Sequence, residues 1–268
     1  MSEPFVLDNE LFLKLERWEK LNPRLYAGFT TKNGGVSSTP YATLNCGLHV
    51  KDKLSSVLEN RELLADKLTI PIENWVAGEQ VHDNKVVEVS KKDRGKGAET
   101  IETSIKDVDG LITDDREVLC TAFFADCVPL FFFDPKKEIV GIAHAGWKGT
   151  VKGIAESMVD EFRELGSNPA NILVTIGPSI SQTNYEVDDK VVENIAEKYQ
   201  SIVTKHVNNG KYLVDLKKLN LEILLQYGIS RNNIEVTKYC TFADNNLFFS
   251  HRRDGGKTGR MLGFIGLF

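Results

Sequence analysis

The apolar positions of this chain follow two different periods, which predict an interleaved set of strands and helices. Short runs rich in Val, Ile and Phe, closed by turn residues, predict strands at 75–81, 86–89, 118–124, 130–133, 139–144, 172–176, 234–238 and 262–268. Apolar residues at i, i+3 and i+4 predict helices at 54–67, 150–165, 188–199 and 216–227. Asp188 is a suitable N-cap for the third of these helices.

The order of these elements indicates the fold class. Residues 118–144 contain consecutive strands with no helix between them, whereas strands and helices alternate elsewhere. This order favours an α/β fold of the α+β type, with a mixed sheet and helices outside, over a doubly wound parallel sheet. Residues 90–106, rich in Lys, Asp, Glu and Gly, are predicted to be a long solvated loop. Residues 1–268 are predicted to be a single domain.

Composition narrows the class of protein. Hydrophobic residues make up 41% and charged residues 26%, which is typical of a soluble globular protein. The net charge of −5 argues against a nucleic-acid partner, and no apolar run reaches the ~18 residues of a membrane helix. The charged N-terminus is neither a signal nor a transit peptide, and four cysteines without a close-set framework favour reduced thiols. We therefore expect a cytoplasmic protein, and a monomer because no exposed apolar stripe stands out.

Three residues are candidate metal ligands because each lies at the predicted end of a strand. Cys127 follows Asp126 at a strand break marked by Pro129, His144 ends the next strand, and His82 lies between two strands. Two imidazoles and one thiolate are a normal set of zinc ligands, and three protein ligands leave a position open for water or substrate.

Spacing alone leaves other interpretations open. A buried Cys is more often a small hydrophobic residue, and a lone His at a strand end is more often a turn residue. The close-set fourth ligand or CxxC pairs of a structural zinc site are absent. Cys127 and His144 could instead form the thiolate–imidazole pair of a cysteine hydrolase or amidase. His49 and His206 are expected at the surface or in local hydrogen bonds.

Two glycine-rich segments are candidate anion sites. Residues 146–150 precede a predicted helix and contain Lys148, so free N–H groups and a cation could hold a phosphate or carboxylate. Residues 250–260 contain Arg252, Arg253 and Arg260. Their Gly-Lys-Thr at 256–258 is not a P-loop, because the first glycine of that motif would be His251.

Taken together, ordered motifs resemble one known family, the bacterial laccase-domain proteins, which are called multicopper polyphenol oxidases and also purine nucleoside phosphorylases. The resemblance runs from about residue 28 to residue 268. Its motifs are TTKNGGVS at 30–37, LNCGLHV at 44–50, QVH at 80–82, DGLIT at 109–113, ADCVP at 125–129, HAGWKG at 144–149, IGPSI at 176–180, RRDG at 252–255 and TGR at 258–260.

The resemblance implies a layered α/β/β/α arrangement with helices outside two mixed sheets, and a metal, Zn²⁺ or alternatively Cu²⁺, held by His82, Cys127 and His144. It implies phosphorolysis of adenosine, inosine and methylthioadenosine, together with adenosine deamination, and it adds copper-dependent phenol oxidation as a further alternative. The partners would be purine nucleosides and phosphate. The expected contacts to substrate or phosphate are Asn45, Gln80, Lys148, Arg252, Arg253 and Arg260.

The residues of this chain support some of the reactions implied by the resemblance better than others. The H-x-E and P-C-x-x-C patterns of known zinc deaminases are absent, so Asp83 or Glu79 is expected to carry the proton in a deamination. Lys148 stands where relatives often carry Arg, which keeps the charge but loses the bidentate fork. Phenol oxidation by several copper centres fits least, since the chain has five histidines.

Overall fold

Two six-stranded mixed sheets and one three-stranded sheet organise residues 3–268, the part of the chain that the computed structural model describes. The strands are β1 Val6–Leu7, β2 Phe12–Lys14, β3 Leu25–Thr30, β4 Trp75–Ala77, β5 Val86–Glu88, β6 Gly110–Thr113, β7 Leu119–Phe124, β8 Val128–Asp134, β9 Ile139–Ala145, β10 Leu173–Ile176, β11 Glu186–Asp188, β12 Thr204–Asn208, β13 Lys211–Val214, β14 Ile234–Val236 and β15 Met261–Leu267. The helices are α1 Glu16–Leu21, α2 Leu54–Leu68, α3 Trp147–Lys152, α4 Ile154–Glu164, α5 Asp189–Glu193, α6 Glu197–Val203 and α7 Leu216–Gln226. Positions 1 and 2 of the predicted domain 1–268 lie outside the described residues.

Both large sheets are mixed, because each contains parallel and antiparallel neighbouring strands. The first sheet has the order β1-β2-β3-β15-β7-β4, and the second has the order β14-β10-β8-β9-β6-β5. β4 runs parallel to β7, β14 parallel to β10, and β5 parallel to β6, whereas the other neighbours are antiparallel. The mixed α/β fold class predicted from the sequence is confirmed.

Three clusters of buried apolar side chains hold the sheets and helices together. The second sheet packs against α4 and α7 through residues such as Met158 and Ile223. The two sheets pack against each other through residues that include Phe124 and Phe131. The outer face of the first sheet is covered by α2, where Leu64 is buried. The layers are therefore helix, sheet, sheet and helix, as the α/β/β/α expectation states.

Strand period 2 distributes these side chains between the layers. Along β8, Leu130 and Phe132 face the helices, whereas Phe131 and Phe133 face the first sheet. The antiparallel register of β8 and β9 pairs Pro129 with His144. This register brings the residue preceding β8, Cys127, to the end of β9.

Several predicted elements differ from the observed ones. The predicted strand 75–81 ends at Ala77, because residues 78–84 leave the sheet as a loop. The predicted helix 150–165 is two helices, since Gly153 has a φ of 95° and separates α3 from α4. The predicted helix 188–199 is wrong: it contains α5 and only the start of α6, and the Asp188 side chain makes no capping hydrogen bond.

The predicted solvated loop, residues 90–106, is partly buried. Ala98 and Ser104 have relative exposures of 2% and 6%, and the buried Arg61 side chain of α2 donates to the carbonyls of Gly97 and Ala98. Its charged composition hides this buried side, because the charged side chains point outward while backbone carbonyls bind Arg61.

Candidate active site

A cleft of about 550 Å³ opens where β7 and β9 end and β8 begins. It brings together residues far apart in the sequence, and its lining comprises His49, Glu79, Gln80, Val81, His82, Phe123, Ala125, Asp126, Cys127, His144, Trp147, Lys148, Ile180, Tyr185, Leu216, His251, Arg252 and Arg260. We call it the active-site cleft.

His82, Cys127 and His144 converge on the wall of this cleft. One potential ligand atom from each lies within 4.8 Å of the other two. Cys127 Sγ is 3.9 Å from His82 Nε2, and the two imidazole rings have centroids 4.7 Å apart. His144 is buried, Cys127 is half-buried and His82 is exposed, so the group is open on the side of His82. These three residues could hold a metal ion with a position left for a ligand.

Asp109 connects two members of the triad. Its buried carboxylate accepts hydrogen bonds from the backbone N–H groups of Val81, His82 and Asp83, at 3.0, 3.1 and 2.8 Å. The same carboxylate lies 2.8 Å from His144 Nδ1, so the ring directs Nε2 towards the cleft. Sequence reasoning missed Asp109 as a site residue, although it begins the DGLIT motif.

The backbone around the triad is unusual at His82 and Asp126 and is closely packed at Gly146. His82 and Asp126 have φ values of 61° and 84°, in the left-handed region that non-glycine residues rarely occupy. At Gly146, an added Cβ would lie 2.9 Å from His82 Cδ2 and 3.1 Å from Cys127 Sγ. Glycine is therefore needed at 146 for the β9–α3 connection to pass this close to the site.

Electrostatic coupling favours a charged pair within the triad. Burial raises the pKa of the Cys127 thiol, but the neighbouring His144 and His82 rings lower it to about 6. Burial lowers the pKa of His144, but the Cys127 sulfur and the Asp109 carboxylate raise it to about 9. Without a metal, this coupling therefore favours the thiolate–imidazolium form of the Cys127–His144 pair.

Three cationic side chains, Lys148, Arg252 and Arg260, also line the cleft, and Asp126 supports the loop that carries the two arginines. The Asp126 carboxylate accepts hydrogen bonds from Thr241 Oγ1, Ser250 Oγ and the backbone N–H of Arg252. This holds the start of loop 250–260 against the ADCVP turn. The guanidinium of Arg252 lies 5.2 Å from the Tyr185 ring, and Arg260 donates from Nη1 to carbonyls of its own loop.

Four of the predicted contact residues line the cleft: Gln80, Lys148, Arg252 and Arg260. Gln80 differs from the other three, because its amide accepts from the Phe123 N–H and donates to the Phe123 carbonyl at 2.8 and 2.9 Å. The Gln80 amide therefore secures the His82 loop to β7, and its polar atoms are already used within the protein.

Three predicted site residues lie elsewhere. The Asp83 carboxylate pairs with Lys152 at 2.7 Å and does not line the cleft, so this geometry does not support the predicted role of Asp83 as a proton carrier. Asn45 is fully buried and accepts from the N–H groups of Gly47 and Arg260, which makes it a support for the loop.

The third misplaced residue is Arg253. Its guanidinium binds Asp254 and three backbone carbonyls, and it faces a different cleft. Successive residues of this loop point in opposite directions, so Arg252 reaches the active-site cleft and Arg253 does not.

Two histidines without a recognised context also line the cleft. His49 packs against Phe123 with ring centroids 6.0 Å apart, and desolvation and Arg260 lower its pKa to about 4. His49 is exposed, as predicted, and it also lines the cleft. His206 is exposed on β12, as predicted. His251 joins the lining from the start of the basic loop. Only the fold brings these rings to the cleft, and the motif LNCGLHV was the one signal for His49.

The fold and the site define a layered α/β protein with an open His–Cys–His group at the end of its central strands. The family model described as "Multi-copper polyphenol oxidoreductase laccase" matches residues 26–268. The chain therefore belongs to this family, as the sequence motifs indicated.

Relatives and solved structures extend this likeness over the whole chain. The "Purine nucleoside phosphorylase YlmD" of Bacillus subtilis is 47% identical, over 98% of this chain and 97% of the relative. The crystal structure of a Bacillus licheniformis hypothetical protein, YfiH, has a TM-score of 0.96 at 45% identity and covers 100% of both chains. The crystal structure of YlmD from Geobacillus stearothermophilus has a TM-score of 0.94 at 42% identity, covering 99% of both chains. Within residues 3–268, no helix has the length and apolarity to span a membrane.

Proposed function

We propose that this chain is a metal-dependent purine nucleoside phosphorylase that holds Zn²⁺ through His82, Cys127 and His144. The observation that carries the proposal is the convergence of these ligand atoms, within 4.8 Å of one another, in a cleft that Lys148, Arg252 and Arg260 also line. The names of the relatives, purine nucleoside phosphorylases, support the same reaction class.

The donor set fits zinc. Two imidazole nitrogens and one thiolate form an open zinc site, and the carboxylate on His144 Nδ1 is the outer partner that metal-bound histidines usually have. When bound, the metal supplies Lewis-acid polarisation of an oxygen on a reacting molecule. Cu²⁺ could bind the same donors.

The cationic side chains that line the cleft could bind phosphate. Arg252, Arg260 and Lys148 line the cleft, and the charged hydrogen bonds of such groups would orient the phosphate towards the ribose. A phosphate oxygen then bonds to C1′ as the bond from C1′ to the purine nitrogen breaks, and the base leaves with a proton. The rings of Tyr185 and Trp147 offer apolar faces for a purine. The proposed substrates are adenosine, inosine and methylthioadenosine.

Adenosine deamination is proposed as a second reaction of the same cleft. It adds water at C6 of the purine and releases ammonia, so a group must carry protons to the leaving amine. Glu79 lines the cleft and is about one-third exposed, with Lys106 at 3.8 Å, whereas Asp83 is turned away. Glu79 is therefore the proposed proton carrier.

A product assay tests the proposed reaction. With inosine, we expect hypoxanthine release that requires phosphate, and we expect Arg260→Met to raise the KM for phosphate about 10- to 100-fold because a charged hydrogen bond is lost. Arg116→Met is the control, since this exposed arginine pairs with Glu138 and does not line the cleft.

Two results would contradict phosphorolysis. If adenosine yields only inosine and ammonia, deamination is the main reaction. If neither base nor ammonia appears, the nucleoside assignment fails and amide or ester substrates become the candidates.

The runner-up function is a metal-independent cysteine hydrolase or amidase. It is favoured by the lowered pKa of Cys127 and by the Asp109 carboxylate on His144, which together resemble a nucleophile, base and orienting acid. Phenol oxidation has weaker support, because the described residues offer one group of three potential ligands and several copper centres need more. The monomeric and cytoplasmic states remain predictions.

A further inference from the structure

A second cleft of about 650 Å³ lies on the other side of loop 250–260 from the active-site cleft. Residues 31–44 and 245–258 form its walls, and no residue lines both clefts. Its lining comprises Lys32, Thr39, Pro40, Ala42, Asn245, Phe249, Arg253, Asp254, Lys257 and Thr258. We call it the second cleft.

The charge of the second cleft is unbalanced. Three cationic side chains and one carboxylate line it, although the whole chain has a net charge of −5. Asp254 is already bound by Arg253 at 2.8 Å and by Thr258 Oγ1 at 2.8 Å. Within residues 3–268, the ammonium groups of Lys32 and Lys257 have neither an ion-pair partner nor a hydrogen-bond acceptor. Two cations therefore face this cleft without a bonded partner, and the one carboxylate there is already bound by Arg253 and Thr258.

The surroundings of Lys32 make this imbalance more costly than at an ordinary surface lysine. Burial lowers the pKa of Lys32, and repulsion from Arg253 lowers it further, with Asp254 opposing them. Arg253 cannot turn away, because its guanidinium donates to the carbonyls of Thr241, Phe242 and Phe248. A bound anion would remove the repulsion and supply the missing acceptors.

We propose that the second cleft binds a phosphate-type oxyanion between Lys32 and Lys257, at a site distinct from the substrate phosphate. Thr39 and Asn245 line the same cleft and provide neutral donors beside the two ammonium groups. The apolar surfaces of Pro40, Ala42 and Phe249 leave room for an organic group attached to the phosphate.

Loop 250–260 contributes side chains to both the second cleft and the active-site cleft. Residues 250–260 contribute His251, Arg252 and Arg260 to the active-site cleft, and Arg253, Lys257 and Thr258 to the second. An anion held by Lys257 would therefore restrain the loop that carries Arg252 and Arg260.

Tungstate, a heavy phosphate analogue, locates the anion directly. In crystals soaked with tungstate, we expect an anomalous peak between Lys32 and Lys257, and its loss in the double variant Lys32→Met, Lys257→Met. Lys92→Met is the control, because this exposed lysine lines neither cleft and has no ion pair within the described chain. A peak in the active-site cleft alone, or no peak, would overturn the proposal.

Titration calorimetry gives the same test in solution without turnover, so it does not depend on the proposed reaction. Inorganic phosphate and glycerol phosphate are titrated into the wild type, the double variant and Lys92→Met. We expect one binding event to weaken at least about tenfold in the double variant alone. Tighter binding of the ester assigns the cleft to a phosphorylated small molecule. Unchanged binding of both anions in a folded double variant would contradict the proposal.

Discussion

At the scale of the residue, the candidate site depends on one buried carboxylate that does not line the cleft. Asp109 accepts three backbone N–H groups from the His82 loop and also faces His144 Nδ1. It therefore sets the position of one histidine through the backbone and the orientation of the other through its ring. Hydrogen bonds from His144 and the loop keep the pKa of Asp109 low despite its burial.

Replacing this carboxylate should weaken metal binding. We expect Asp109→Asn to lower zinc affinity about 10- to 100-fold, the usual effect of losing an outer partner of a metal-bound histidine. Chelator competition measures the affinity, and thermal unfolding reports stability separately. Asp115→Asn is the matched control, since half-buried Asp115 also accepts a backbone N–H but follows β6 at the end away from His144. Equal zinc affinity in both variants would refute a positioning role.

At the scale of the element, α2 holds two irregular segments against the first sheet. Arg61 is 1% exposed, lies 4.7 Å from the Phe123 ring, and donates to the carbonyls of Cys46, Gly97 and Ala98. The partners are carbonyls and not carboxylates, so the guanidinium completes loop backbones that no strand pairs with. Burial lowers the pKa of Arg61 to about 10.

Removing this side chain should destabilise the protein strongly. We expect Arg61→Met to lower the free energy of unfolding by at least about 3 kcal/mol, because several buried carbonyls lose their donor. Arg17→Met is the control: the Arg17 side chain is 66% exposed and its pair with Glu235 should contribute about 1 kcal/mol or less. Denaturant unfolding of both variants measures the difference. A similar small loss in both would show that the Arg61 contacts add little.

At the scale of the whole molecule, the sequence predicts the long apolar strands better than the other strands. β7, β8 and β9 are nearly continuous apolar runs, buried along their whole length, so their positions and order were recognised. Strands β1 to β3, β6 and β11 to β13 were missed, because polar or glycine residues leave them without a long apolar run. The prediction of one helix at 188–199 failed, because its apolar residues belong to two short helices, α5 and α6.

The sequence predicted the three potential metal ligands of the site but not the directions of the side chains in its loops. Strand ends and family motifs identified His82, Cys127 and His144, which converge. Spacing could not show that Asp83 faces Lys152 or that Arg253 faces the second cleft, since side-chain direction within a loop depends on the fold. Asp109 and His49 act through contacts with residues more than twenty positions away, which no local pattern records.

The central claim is that a bound metal at the triad is required for the reaction. Its most direct test is elemental analysis of zinc together with phosphorolysis of inosine, in the wild type, Cys127→Ala and the control Cys120→Ala, whose cysteine is buried away from the cleft. We expect about one zinc per chain in the wild type and the control, none in Cys127→Ala, and activity that a chelator removes and zinc restores. Full activity in metal-free wild-type protein would contradict the account and favour the cysteine hydrolase.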